Sequence, residues 1–147
     1  MTDNLTQMTE AQVRDFLHAP RHAIVATNRG DGSIQLSPVW YLYEEGCLYI
    51  AVFVDSVKYR NLRRDPRISV CIDGGHPDAR AVMLYGTVEI IDEDSAWREK
   101  KRWDIMRRYF DDDGEARSYM QETAEWGPAA LIVVKPDKTI AADYNEM

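Results

Sequence analysis

Residues 22–54 read HAIVATNRGDGSIQLSPVWYLYEEGCLYIAVFV, and this stretch decides the fold. Its first seven residues, 22–28, have β composition. Asp31-Gly32 then falls between two apolar runs, a strong hairpin signal because both residues tolerate the backbone a tight turn needs. Residues 33–43 alternate, with Ile34, Leu36, Trp40 and Leu42 on one face and Ser33, Gln35, Ser37 and Tyr41 on the other. Pro38 has no N–H for a ladder, so a bulge or an edge position is expected there. Glu44-Glu45-Gly46 makes a second turn. Residues 47–54 are apolar on both faces, which predicts a central strand covered on both sides. Three strands joined by tight turns predict an antiparallel sheet.

Working outward, residues 9–18 read as a helix. Thr9 and Gln12 have capping-box spacing, and Val13, Phe16 and Leu17 recur at helical intervals. Residues 55–64 predict a short helix capped by Asp55 or Ser56 and ended at Asp65-Pro66. Strands are predicted over 67–73 and 81–91, with Gly86 marking a bend or a close approach. Residues 93–110 and 115–126 read as helices, the first with an apolar stripe of Trp103, Met106 and Phe110. Strands over 129–134 and 138–143 complete the pattern. The expected architecture is mainly β (α+β): a six- to seven-stranded antiparallel barrel with peripheral helices, in one domain spanning 1–147.

Composition narrows the function classes. The 147 residues carry a net charge of −7, which argues against a duplex nucleic-acid binder. No run approaches the ~18 apolar residues of a spanning helix, and MTDNLTQMTE has neither a basic start nor an apolar core. A cytoplasmic protein is therefore expected, away from membrane and nucleic acid. Cys47 and Cys71 match no metal or redox spacing and read as small buried hydrophobes. The histidines His18, His22 and His76 lack ligand spacing, so no metal site is expected. Trp97, Trp103 and Trp126 fall on predicted helices, where packing is the default role.

The charge is uneven. Residues 58–67 carry +4, leaving −11 on the rest of the chain. A basic island on an acidic protein suits a small anionic ligand. Free N–H groups at a helix start favour phosphate. Lys58 in the first turn can reach back to such an anion, and Arg60 offers a planar multi-donor group. Lys58, Asn61 and Leu62 share one helical face, with Leu62 as its anchor, while Arg63 and Arg64 are expected to point outward. The polar strand face of Gln35, Ser37 and Tyr41 is the second candidate surface. It should lie near the helix, because strand 47–54 leads into that helix and is expected to pair with strand 33–43.

Three segments together resemble the pyridoxamine-phosphate-oxidase-like split β-barrel flavoproteins, above all the small branch containing deazaflavin F420-dependent reductases. They are AIVATNRGDGSIQLSPVWY (23–41), KYRNLRRDPR (58–67) and VMLYGTVEII (82–91). The resemblance implies a homodimer with two cofactor sites at the subunit interface. It implies that Lys58 and Arg60 hold the cofactor phosphate, with Ser56 and the Asn61 backbone beside them, and that Gln35 and Ser37 line the ring site. Hydride transfer would then belong to the cofactor, F420 or FMN, acting on a small-molecule substrate, with no catalytic side chain named. True pyridoxamine-phosphate oxidases carry a C-terminal substrate clamp that has no counterpart in 136–147. Besides a flavin-type oxidoreductase, a non-catalytic cofactor binder or sensor stays open. A barrel that binds nucleic acid is opposed by the charge.

Overall fold

The computed structural model describes residues 7–146. Its elements in chain order are α1 (Glu10–His18), β1 (Ala23–Asn28), β2 (Ile34–Val39), β3 (Leu42–Glu44), β4 (Cys47–Phe53), α2 (Val57–Arg64), β5 (Arg67–Asp73), β6 (Arg80–Ile91), α3 (Ala96–Met106), α4 (Asp113–Thr123) and β7 (Ala129–Asp143). Short 3₁₀ turns at Arg107–Tyr109, Ala124–Trp126 and Tyr144–Glu146 follow α3, α4 and β7. The seven strands form one antiparallel sheet in the order β2-β1-β5-β6-β7-β4-β3, curled into a half-barrel. The mainly β split-barrel expectation holds, with seven strands. Among the described residues no helix is long and apolar enough to cross a membrane.

Alternate residues of each strand fill the half-barrel's interior. Val25 of β1, Ile50 of β4, Ile72 of β5, Val82 of β6 and Ile132 of β7 are fully buried there. Phe16 and Leu17 of α1 and Leu62 of α2 join the same core. The capping box at the start of α1 is present: Gln12 N donates to Thr9 Oγ1 at 3.1 Å, and Thr9 N donates to Gln12 Oε1 at 2.8 Å. The Asp31-Gly32 hairpin is also present, with Asp31 accepting from the backbone N and hydroxyl of Ser33.

The predicted strand 33–43 is not one strand. It breaks at Trp40-Tyr41, and its two parts lie on opposite edges of the sheet: β2 pairs with β1, and β3 with β4. The reason lies far away in the sequence. Backbone groups at the crossing have no ladder partner and need another. The turn after α3 supplies it. Tyr109 Oη accepts from Tyr41 N at 3.1 Å, Arg108 donates to the Tyr41 carbonyl, and Trp40 stacks on Tyr109 with centroids 4.6 Å apart. Tyr41, expected on a polar surface, is fully buried, and its hydroxyl donates to the Ala19 carbonyl. Burial pushes its pKa up to about 12.

The inside and outside of β2 are also reversed. Ser37 and Val39 face the interior, while Ile34 is 59% and Leu36 is 66% exposed. Strands 129–134 and 138–143 merge into β7, which pairs with β6 through a bulge at Tyr85/Gly86. A Cβ on Gly86 would overlap the carbonyl of Lys135, the close approach expected there. The helix predicted over 93–110 ends at Met106, and its buried residue is Ile105 in place of the Trp103, Met106 and Phe110 stripe. Trp97 and Trp126 are exposed, Trp103 is only partly covered, and Cys71 is exposed, so none of these four is a core residue.

Candidate functional site

Because β2 and β3 do not pair with each other, the half-barrel has an open seam. Helix α2 closes part of it, touching β1, β2 and β4. Ser56 starts this helix: its hydroxyl accepts from Tyr59 N at 3.2 Å and donates to the Phe53 carbonyl at 2.7 Å. Both capacities of Ser56 are thus used in fixing the turn from β4 into α2. Leu62 anchors the helix in the core, as the shared face of Lys58, Asn61 and Leu62 predicts.

A polar chain, buried at Asn61 and Thr27, ties α2 to the strands. Arg64 Nη2 donates to Asn61 Oδ1 at 3.1 Å and to the Asn28 carbonyl at 2.7 Å. Asn61 Nδ2 donates to Thr27 Oγ1 at 3.1 Å, and Thr27 Oγ1 donates to Gln35 Oε1 at 3.3 Å. Arg64 is exposed, as expected, and has a structural tie as well. Gln35 lies next to α2 as expected, but through β1, since only β3 of the old strand 33–43 pairs with β4.

Beside this helix lies a cavity of about 380 Å³. Its strand walls are Pro38, Val39 and Trp40 at the end of β2 and Ala51, Val52 and Phe53 of β4. The segment from α3 to the turn after α4 supplies the opposite wall, with Arg102, Ile105, Met106, Tyr119, Thr123 and Trp126. The aromatic side chains form a continuous cluster. Trp40 packs on Tyr119 at 5.5 Å, Tyr119 on Trp126 at 6.5 Å, and Trp126 on Phe53 at 5.9 Å between centroids. Gly127, at φ +118°, turns the chain from Trp126 back into β7, a conformation that strains any residue with a Cβ.

Lys58 reaches this cavity and makes no hydrogen bond or ion pair among the described residues. Burial lowers its pKa, as expected for an ammonium without a counter-charge. No Asp or Glu lines the cavity. The other sequence-predicted site residues lie outside its wall. Ser37 is buried on the interior face, Asn61 is buried in the polar chain, and Gln35 ends that chain. Arg60 is exposed, and its Nη1 donates to the Asp55 carbonyl at 2.8 Å. Sequence reasoning missed Arg102, Trp40, Tyr119 and Trp126. The aromatic residues were visible only as a set of aromatics, and their convergence depends on the seam.

An aromatic-walled cavity with an unpaired cation and no carboxylate fits a planar ring bearing a phosphate. The chain matches the family model of pyridoxamine 5'-phosphate oxidase over residues 9–141. No curated protein matches it. Among solved structures it is similar to a conserved hypothetical protein from Mycobacterium tuberculosis, at 26% identity over 99% of this chain and 90% of that one, with a TM-score of 0.77. It is similar to an F420 reductase at 22% identity, over 86% and 94% of the two chains, with a TM-score of 0.67. It is also similar to HutZ, a haem storage protein from Vibrio cholerae, at 14% identity, over 91% and 93%, with a TM-score of 0.71. The family match runs through every strand, so this seven-stranded half-barrel belongs to the pyridoxamine 5'-phosphate oxidase family.

Proposed function

We propose that this chain is an oxidoreductase that holds a flavin-type cofactor, F420 or FMN, in a homodimer and uses it on a small conjugated substrate. The observation that carries the reading is Lys58: a half-buried, unpaired ammonium in an aromatic-walled, carboxylate-free cavity. An unpaired charge partly withdrawn from water carries a cost, and an anionic ligand offsets it. Lys58 and the first turn of α2 would hold the phosphate, with the Asn61 backbone beside them. Ser56 contributes by capping the helix. Gln35 would present its amide N–H groups to the edge of the ring, since only its oxygen is used by Thr27. Ser37 would stand behind that ring edge, two residues further along the same face of β2.

When bound, the cofactor supplies the hydride chemistry itself. The protein's part is to orient the ring, keep water from it and fix the phosphate charge. A second copy of the chain is supported by the bare outer face of β1 and β2, where Ile24, Ile34 and Leu36 are exposed.

The test is a titration of purified protein with FMN and with F420 separately, following fluorescence and absorption. One of them is expected to saturate at one equivalent per chain. If neither binds, the reading fails. Saturable binding with no turnover of any electron donor would replace the enzyme by a cofactor carrier or sensor.

A further inference from the structure

We propose that Arg102 of α3, and not Arg60, is the second cation that acts with Lys58 on the ligand's phosphate. This rests on the flavin-type reading of the same cavity. Lys58 and Arg102 are the two cationic side chains of the cavity wall. They come from opposite sides of it, one from the helix that follows β4 and the other from the helical segment that covers the seam. Arg60, two residues from Lys58, lies outside.

The bonding of Arg102 leaves a vacancy of a particular shape. Its side chain is only 14% exposed. Nη1 is used, donating to Glu99 Oε1 at 2.8 Å and Oε2 at 3.1 Å. Nε is buried with no partner, and Nη2 makes no hydrogen bond among the described residues. Nε and Nη2 form one edge of the guanidinium, two parallel donors spaced to take two oxygens of a phosphate or carboxylate. A buried donor without an acceptor is rare in folded proteins and calls for a ligand or an equivalent group.

Charge points the same way. The carboxylate of Glu99 is shared, since Arg98 Nε also donates to it at 3.2 Å. Arg98 also pairs with Asp94 at 3.3 Å, so Glu99 and Asp94 match the two guanidinium groups, and the uncompensated positive charge of the cavity is the Lys58 ammonium. With no acidic residue in the wall, the Lys58 ammonium and the unused Nε/Nη2 edge of Arg102 make a site for a phosphate next to a wall that accepts a flat ring. Trp40, Tyr119 and Trp126 provide that wall.

The experiment compares a ring with and without its phosphate. FMN and riboflavin are titrated against the full chain by flavin fluorescence. If the wild type takes F420 instead, F420 and its phosphate-free deazariboflavin are used. Arg102→Met should weaken the phosphorylated ligand by ~10-fold or more, the loss expected for a charge-assisted pair. It should move the phosphate-free ligand by less than ~2-fold. Arg60→Ala should leave both nearly unchanged. Arg102→Lys, which keeps the charge but not the two-donor edge, should fall between and guards against a folding failure of the methionine variant. The proposal is overturned if Arg102→Met binds the phosphorylated ligand like wild type, if it weakens both ligands equally, or if Arg60→Ala causes the larger loss. Should wild type take neither ring, the flavin reading fails by itself. Inorganic phosphate, followed by tryptophan fluorescence, then decides the clamp: saturation in wild type that is lost in Arg102→Met keeps it, and no response sinks it.

Discussion

The outer surface of the sheet has two halves with similar sequences and opposite fates. On β4 and β7 the outward apolar residues are covered by α3: Leu131 is fully buried, Val133 is 5% exposed, and Ile105 of the helix packs in the same region at 2%. On β1 and β2 no element among the described residues covers Ile24, Ile34 and Leu36, which are 41–66% exposed. Alternation in a strand identifies two faces. It does not say which face the chain itself buries. In the proposed homodimer a second copy would supply the cover, and the more apolar face of β2 would then point outward.

The sharpest way to break this comparison is the same substitution in both halves. Leu131→Ala removes side-chain packing between the sheet and α3 and should cost about 2–5 kcal/mol in urea unfolding. Leu36→Ala, measured at protein concentrations low enough to keep the chain monomeric, should change stability by less than about 0.5 kcal/mol. A comparable loss at both positions would mean that β2 is covered within one chain. Leu36→Asp sharpens the same point, since it places a carboxylate in the exposed apolar face. It should shift sedimentation from dimer to monomer while leaving the far-ultraviolet spectrum intact. Unchanged assembly would move the dimer contact elsewhere.

A second test concerns the inner face of β1, where polar groups are buried. Thr27 is 1% and Asn61 is 4% exposed, and their bond joins α2 to the sheet. Thr27→Val preserves shape but leaves the Asn61 amide without its acceptor. The expected cost is about 1–3 kcal/mol. A loss within experimental error would mean that Asn61 finds another partner and that the chain to Gln35 is not what positions α2.

The same contrast explains how much could be read from the sequence. Local signals were readable: the Thr9/Gln12 cap, the Asp31-Gly32 turn, the bend at Gly86, and Leu62 as the anchor of a helix whose first turn holds Lys58. Each depends on neighbours a few residues away. The break at Trp40-Tyr41 was not readable, because its cause, Tyr109, lies 68 residues further on. Trp126 was misplaced for a related reason: it sits on a turn beyond α4 and meets the cavity only through tertiary packing. Arg102 stands among Arg98, Lys100 and Lys101 on one short helix. Composition cannot single it out, and only its place against the seam does.

A gain in place of a loss is expected at Lys58, where stability and binding should move in opposite directions. Burial lowers the pKa of this lysine in the folded chain, so at pH values between that lowered pKa and the ordinary one near 10.5 the unfolded chain holds the additional proton. Stability therefore rises with pH across this window and falls as pH drops through the folded value. Lys58→Met should remove that part of the slope and raise the neutral-pH stability of the ligand-free protein by about 1 kcal/mol or less, since a half-buried charge is screened by solvent. Ligand affinity should show the reverse trend in wild type, weakening as the ammonium loses its proton, and should be low and flat in the variant. Melting temperatures and flavin titrations from pH 7 to 10 on both proteins measure the two slopes. If Lys58→Met is less stable than wild type at neutral pH, the ammonium already has a stabilising partner and the cavity is not waiting for an anion.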